Sequence, residues 1–151
     1  MIRQLLYRSG QLYEFTVADM IRLLQTSRAH NAGCGVGGLL LLRDGLFMQL
    51  LEGPMAAVEA LYARIAEDPR HCGVQLINRR ERAARLLPDW RMAWAEAPLD
   101  DDAPAFAGLE TDHHALRALD GAGADPVAVT LRAFLRGETA QGGGLYAEPT
   151  R

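Results

Sequence analysis

The chain has 151 residues, 49% hydrophobic and 23% charged, with a formal net charge of −3. That is enough for one domain with a real core and too short for two comfortable ones. A sequence pI near 5.8 and dispersed arginines give no electrostatic footprint for nucleic acid. The longest apolar run, around residues 36–42, falls well short of the roughly 20 residues that span a bilayer, so no membrane contact is expected.

Residues 2–8 read as the first strand, closed by Ser9 and Gly10. Alternation points Arg3, Leu5 and Tyr7 one way and Ile2, Gln4 and Leu6 the other. With a strand entered so early, no signal peptide is expected. Cys34 and Cys72 form neither a metal spacing nor a disulfide framework, which suits a reduced cytoplasm. Thr16, with Asp19 three residues on, makes a capping-box-like helix start, and that helix runs to about Asn31. Its apolar stripe of Met20, Leu23 and Leu24 continues at helical spacing into Ser27, His30 and Asn31. A buried face that turns polar at one end is typical of a site.

The glycine-rich stretch 31–38 follows a helix and precedes a strand, the reverse of a phosphate-cradling loop. Its glycines are expected to make the helix exit and a close strand approach. Residues 39–42 and 46–51 read as a hairpin about Asp44-Gly45, a type I′ turn signal. The second of these strands contains one polar side chain, Gln49, and a buried primary amide is costly without partners. Pro54 suits the first turn of the next helix. That helix presents Val58, Leu61, Tyr62 and Ile65 inward, with Arg64 and Asp68 four apart on one flank, and Pro69 ends it. Residues 74–78 form a fourth strand and 90–94 a fifth, with Trp90, Met92 and Trp94 on one face. Two short helices follow over residues 111–119 and 125–135, the second with an Asp125 cap and Pro126 at its first position. From Gly137 onward the glycine-rich polar composition predicts a disordered tail.

The order β-α-β-β-α-β plus one strand predicts an α+β fold, a ferredoxin-like sheet with two helices on one face. The first and third strands are expected as parallel neighbours at its centre. Tyr7 and Gln49 then lie on adjacent strands, and both face the helices if Gln49 points inward with Phe47 and Leu51. Ile2, Leu6, Met48 and Leu50 are left on the opposite face, which is also apolar and needs cover. The helices within residues 98–136 are the expected cover.

The polar residues aimed between helices and sheet are Tyr7, Ser27, His30, Asn31 and Gln49, joined by Arg64 and Asp68. A flat, polar-edged, mostly apolar ligand would satisfy them. Taken singly, each has a plain reading. Tyr7 is a core-rim tyrosine, Gln49 a structural amide, Arg64 with Asp68 a surface pair, and Trp90, Met92 and Trp94 core packing. The histidines show no convincing metal spacing. In order along the chain, however, five motifs closely resemble the BLUF family. They are Tyr7-Arg8-Ser9, residues 27–31, residues 44–54 from Asp44-Gly45 to Gly53-Pro54, residues 62–71 with Arg64 and Asp68, and Pro88-Asp89-Trp90-Arg91-Met92. The resemblance covers residues 1–95.

Members of that family are blue-light sensors using FAD, and the resemblance implies an isoalloxazine ring inserted between the two helices. It implies flavin contacts from Ser27, His30, Asn31, Gln49, Arg64 and Asp68, with FMN as the alternative cofactor. Gln49 would bridge Tyr7 to flavin N5 and C4=O. Light would drive electron and proton transfer from the tyrosine, and the glutamine would then change tautomer or orientation. Trp90 and Met92 would relay the switch outward. His30 stands where many members have Asn, and Gly37 where Thr is common. The implied organisation is a flavin-binding domain over residues 1–97, a helical output segment over 98–136 and a tail over 137–151. Output would pass through the C-terminal helices, a homo-oligomer interface (a dimer or larger) or a separate protein partner. The rival readings are a small ferredoxin-like flavin reductase, an acylphosphatase-type hydrolase lacking its Arg-bearing phosphate loop, and an interaction module that has lost its cofactor.

Overall fold

The computed structural model describes residues 1–11, 22, 25–27, 29–30, 33–43, 46–67, 71–88, 92–97 and 113–137. Among them are five strands, β1 (Ile2–Gln11), β2 (Gly37–Arg43), β3 (Leu46–Gly53), β4 (His71–Arg82) and β5 (Ala93–Ala97). Three helices are complete: α1 (Met55–Ala66), α2 (His113–Gly121) and α3 (Pro126–Arg136). The described residues of 22–34 are helical too. The sheet order is β4-β1-β3-β2-β5. Its first four members have the ferredoxin-like order, and β5 extends it beyond β2.

Contrary to the parallel pairing expected from the sequence, β1 and β3 are antiparallel, in a register that sets Tyr7 opposite Gln49. The chain topology requires this. The helical crossover from β1 returns β2 in the same direction as β1, and the β2–β3 hairpin then reverses it. The two residues between Arg43 and Leu46, which pair with each other, include the expected turn at Asp44-Gly45; that turn lies outside the described residues. Gly38 supplies the close strand approach, since a Cβ there would fall 1.8 Å from the Leu50 carbonyl oxygen.

Two further boundaries differ from the sequence reading. β4 runs well past residues 74–78 because β1 offers it partners from Ile2, opposite Arg82, to Gln11, opposite His71. On this edge strand charged residues such as Arg79, Arg80, Glu81 and Arg82 discourage pairing with another chain. β5 begins at Ala93, parallel to β2, with Leu39 opposite Ala93. The small side chains Ala93 and Ala95 are fully buried beneath the C-terminal helices. Met92 precedes β5, and Trp90 and the Trp94 side chain lie outside the described residues.

Strand alternation gives the sheet two cores. On one face Leu5, Tyr7, Leu40, Leu42, Phe47, Leu51 and Met92 pack with Val58 of α1, flanked by Leu61, Tyr62 and Ile65 as the helical stripe predicts. Cys34, from the first helical segment, packs against this same face. Pro54 is the N-cap of α1 rather than its first helical residue, and its carbonyl accepts from Val58 N at 3.0 Å. On the other face Leu6, Leu39, Leu41, Met48 and Leu50 pack with Leu119 of α2 and with Val127, Leu131 and Phe134 of α3. The C-terminal helices thus cover the second apolar face, as expected. The helix start at Thr16, its stripe, Asp68-Pro69, and the tail from residue 138 lie outside the described residues.

Asp125 caps α3 by accepting from Ala128 N at 3.1 Å, with Pro126 at the first position. Burial pushes the Asp125 carboxyl up. The Arg80 hydrogen bond, the Ala128 N–H and the charges of Arg80 and Arg82 outweigh that, so it lies below the usual carboxylate value. A depressed folded-state value contributes stability above the unfolded value, roughly pH 4, and loses it as pH falls through the folded value. Asp125→Asn, which keeps a capping oxygen, is therefore expected to flatten acid unfolding between about pH 5 and pH 3, followed by circular dichroism against pH. An unchanged acid limb would contradict the pairing.

Candidate functional site

The site begins with the cross-strand pair Tyr7 and Gln49 at the centre of the sheet. Both side chains are nearly buried, at 3% and 7% exposure. The Tyr7 hydroxyl donates to Gln49 Oε1, and Gln49 Nε2 donates to Met92 Sδ at 3.3 Å. Donor and acceptor chemistry fixes how this amide sits. A thioether sulfur only accepts, so the amide nitrogen faces Met92, while a phenol can donate or accept. A carboxamide has two N–H donors and two lone-pair acceptors; the two bonds named use one of each.

Around the pair the surface is apolar, from Leu5, Leu40, Leu51 and Val58. The Tyr62 ring of α1 lies 5.6 Å from that of Tyr7, tilted by 56°, a favourable aromatic geometry. Burial pushes the Tyr62 phenol above its usual value, with the Arg79 charge opposing and the Glu59 charge adding to the rise. The two helical elements meet at a polar edge, where Arg64 Nη2 is 3.0 Å from His30 Nε2 and Cys34 Sγ is 3.6 Å from the same nitrogen. Because a guanidinium only donates, Nε2 is the acceptor and the imidazole proton belongs on Nδ1. Arg64 and His30 are exposed, and Ser27 is half-buried on the same helical segment as His30.

Of the residues singled out from sequence, Tyr7, Gln49 and Met92 come together, and His30 meets Arg64. Asn31, Asp68 and Trp90 lie outside the described residues. Sequence reasoning assigned Tyr62 to the helix stripe and missed its contact with Tyr7. It also gave no role to Glu52 and Gln4, both buried on the far face of the sheet. Their signal was available: two polar residues on strand faces that otherwise read as apolar. No group of three or more His, Cys, Asp or Glu placed to hold a metal occurs among the described residues.

Residues 2–93 match the family described as BLUF, sensors of blue-light using FAD. The chain belongs to the BLUF family. It is 36% identical over 105 residues to the photoactivated adenylate cyclase subunit beta of Euglena gracilis, a match covering 62% of this chain and 12% of that protein. Among solved structures, the dark state of BlrB, a BLUF protein, has 34% identity and a TM-score of 0.61, covering 63% of this chain and 72% of that one. Klebsiella pneumoniae BlrP1 with FMN and cyclic diGMP has 28% identity and a TM-score of 0.72, covering 95% of this chain and 36% of that one. As a BLUF domain the chain is a flavin-binding sensor of blue light rather than a flavin reductase.

The Tyr7–Gln49 bond lies in this BLUF domain's core, so removing its donor should register in stability. Tyr7→Phe leaves a buried acceptor without its phenolic donor and is expected to cost about 1–3 kcal/mol. In a double-mutant cycle with Gln49→Leu, chemical unfolding should report a coupling of about 1 kcal/mol. Strict additivity would show that the pair does not interact.

Proposed function

We propose that blue light turns the Gln49 side chain between two hydrogen-bonding arrangements beside FAD, and that Met92 passes the change to the C-terminal helices. One observation carries this reading: a nearly buried amide is held between a group that can reverse its role, the Tyr7 hydroxyl, and a weak acceptor, Met92 Sδ. Turning the amide end for end directs Nε2 to Tyr7, whose oxygen then accepts, and sets Oε1 against sulfur. The loss is one weak hydrogen bond, on the order of 1 kcal/mol, with no change in net charge. Two arrangements this close in energy are the requirement for a switch.

The residues fit a flavin. Gln49 has a further N–H and a further lone pair to offer a heteroaromatic edge. Its surroundings are apolar enough for a ring, and Arg64 and His30 stand at the polar rim with Ser27. FAD supplies a ring edge that accepts and donates hydrogen bonds and, when excited, takes an electron and a proton. Tyr7 holds that proton in the dark, and Gln49 orders it toward the ring edge. Asn31, Arg64 and Asp68 complete the set of flavin contacts, and Trp90 joins Met92 in the relay. FAD is the expected form; the BlrP1 structure contains FMN, and a site that grips mainly the ring accepts either.

Residues 1–97 form the sensor, 98–136 the output segment and 137–151 a tail. The receiver is a protein, reached through the C-terminal helices or a homo-oligomer interface. The net charge of −3 gives no reason to invoke nucleic acid, and no helix among the described residues is long and apolar enough to cross a membrane. The cytoplasm is the proposed compartment.

Full-length protein loaded with FAD should be yellow, and blue light should move its flavin band to longer wavelength, reversibly in darkness. Gln49→Leu should keep the flavin and abolish the shift, because a hydrocarbon has no second arrangement to offer. A normal photocycle in that variant would refute the assigned role.

A further inference from the structure

The sheet face turned away from Tyr7 and Gln49 holds a second polar assembly. Arg80 on β4, Gln4 on β1 and Glu52 on β3 are directly opposite one another in the strand register. They form one row across three adjacent strands. Gln4 and Glu52 are buried, at 1% and 0% exposure. Arg80 Nε donates to Gln4 Oε1 at 2.6 Å, and Gln4 Nε2 donates to Glu52 Oε1 at 2.7 Å. The Glu52 carboxylate also accepts from Leu86 N and Leu87 N, each at 2.8 Å, and Arg85 Nη1 donates to the Glu52 carbonyl at 3.0 Å. At the other end Arg80 Nη2 donates to Asp125 Oδ2 at 2.8 Å, the same oxygen that caps α3.

An unbroken line of hydrogen bonds therefore joins the first turn of α3 to the backbone of Leu86 and Leu87. Every direction in it is dictated. Guanidinium and backbone N–H groups only donate, ionised carboxylates only accept, and Gln4 is the one group with a choice. Reversing Gln4 would set N–H against N–H at Arg80 and oxygen against oxygen at Glu52. Leu87 adds a second link, because its side chain is buried in the same core as Leu119, Leu131 and Phe134. The line is rigid in pattern, and breaking it at one point leaves a buried charge short of its partners.

We propose that the row of Arg80, Gln4 and Glu52 is a positioning relay that couples the seating of residues 85–87 to the seating of the α3 N-terminus. Only its use in light signalling rests on the function proposed above; the coupling is a property of the folded chain. A shift of residues 85–87 that withdraws the Leu86 and Leu87 N–H groups leaves the Glu52 carboxylate short of two donors. The cost reaches Asp125 through Gln4 and Arg80. Coupling of this kind is reciprocal, whichever end is disturbed first.

Reciprocity gives the test, read by amide hydrogen exchange on the FAD-loaded full chain. In the dark, Glu52→Gln should speed exchange of the α3 amides by about two- to fivefold, and Asp125→Asn should do the same to Leu86 and Leu87. Amides of α1, on the other face, should not change. Asp125→Asn retains the helix cap, so an effect at Leu86 and Leu87 reports the relay and not a frayed helix. Arg80→Lys keeps the charge without the two-armed reach and replaces Glu52→Gln if that variant does not fold. Blue light on the wild type should then speed exchange at Leu86, Leu87 and α3 together. In Asp125→Asn the spectral shift should persist while the light-dependent change in α3 is lost. Either dark-state effect missing from its distant end overturns the relay. A wild type without a spectral shift overturns the photoreceptor reading alone.

Discussion

The structure depends on how a sheet buried on both faces accommodates a primary amide in its central strand. β3 is covered by α1 on one side and by α2 and α3 on the other, and its residues from Phe47 onward are all buried. Gln49 is nearly buried, so its donors and acceptors need protein or ligand partners rather than bulk water. The antiparallel register puts Tyr7 directly opposite, and Met92, just before β5, brings its sulfur to the other end of the amide. Strand pairing thus sets the Tyr7–Gln49 geometry, and this is the more rigid way to hold a site.

Two glutamines in the same sheet show what makes an amide a switch. Gln4 lies between a group that only donates and a group that only accepts, so it has one arrangement. Gln49 lies between a hydroxyl that does both and a sulfur that accepts weakly. The same side chain is a strut in one setting and a two-position element in the other. The difference is in the partners.

Period-two alternation was enough to assign Tyr7, Phe47 and Leu51 to one face and Leu6, Met48 and Leu50 to the other, and the two cores divide along that line. The α1 stripe and the Asp125–Pro126 helix start were equally legible, because caps and helical spacing are local. Strand direction was misread. Whether β1 runs with or against β3 follows from the order of the connections, a helical crossover that keeps direction and a hairpin that reverses it. That order was legible, and its consequence for β1 and β3 was not drawn. The start of β5 was misread for a different reason. Trp90, Met92 and Trp94 dominate the local pattern, yet the ladder is set by where β2 offers partners, and small residues are required beneath the cap. Gln4 and Glu52 stood out singly, but the Arg80–Gln4–Glu52 row could not be assembled, because its members become neighbours only through strand register, across long separations in sequence.

Magnitudes decide what the C-terminal helices can do. α3 buries Val127, Leu131 and Phe134 essentially completely, at roughly 1.5–3 kcal/mol per side chain. The Arg80–Asp125 pair is partly exposed, and solvent screening limits such a pair to about 1 kcal/mol or less. Its polar contacts therefore do not hold the cap on; the apolar core does. At its far end Gly137 closes α3 in a left-handed conformation, so close to the Arg43 guanidinium that a Cβ would fall 2.2 Å from Nη2. With both ends placed by polar groups and the middle held by hydrocarbon, a change at the relay re-seats the first turn of α3 and leaves its core in place. A signal of that size suits a surface read by a bound partner, which needs a shifted contact rather than an undocked helix.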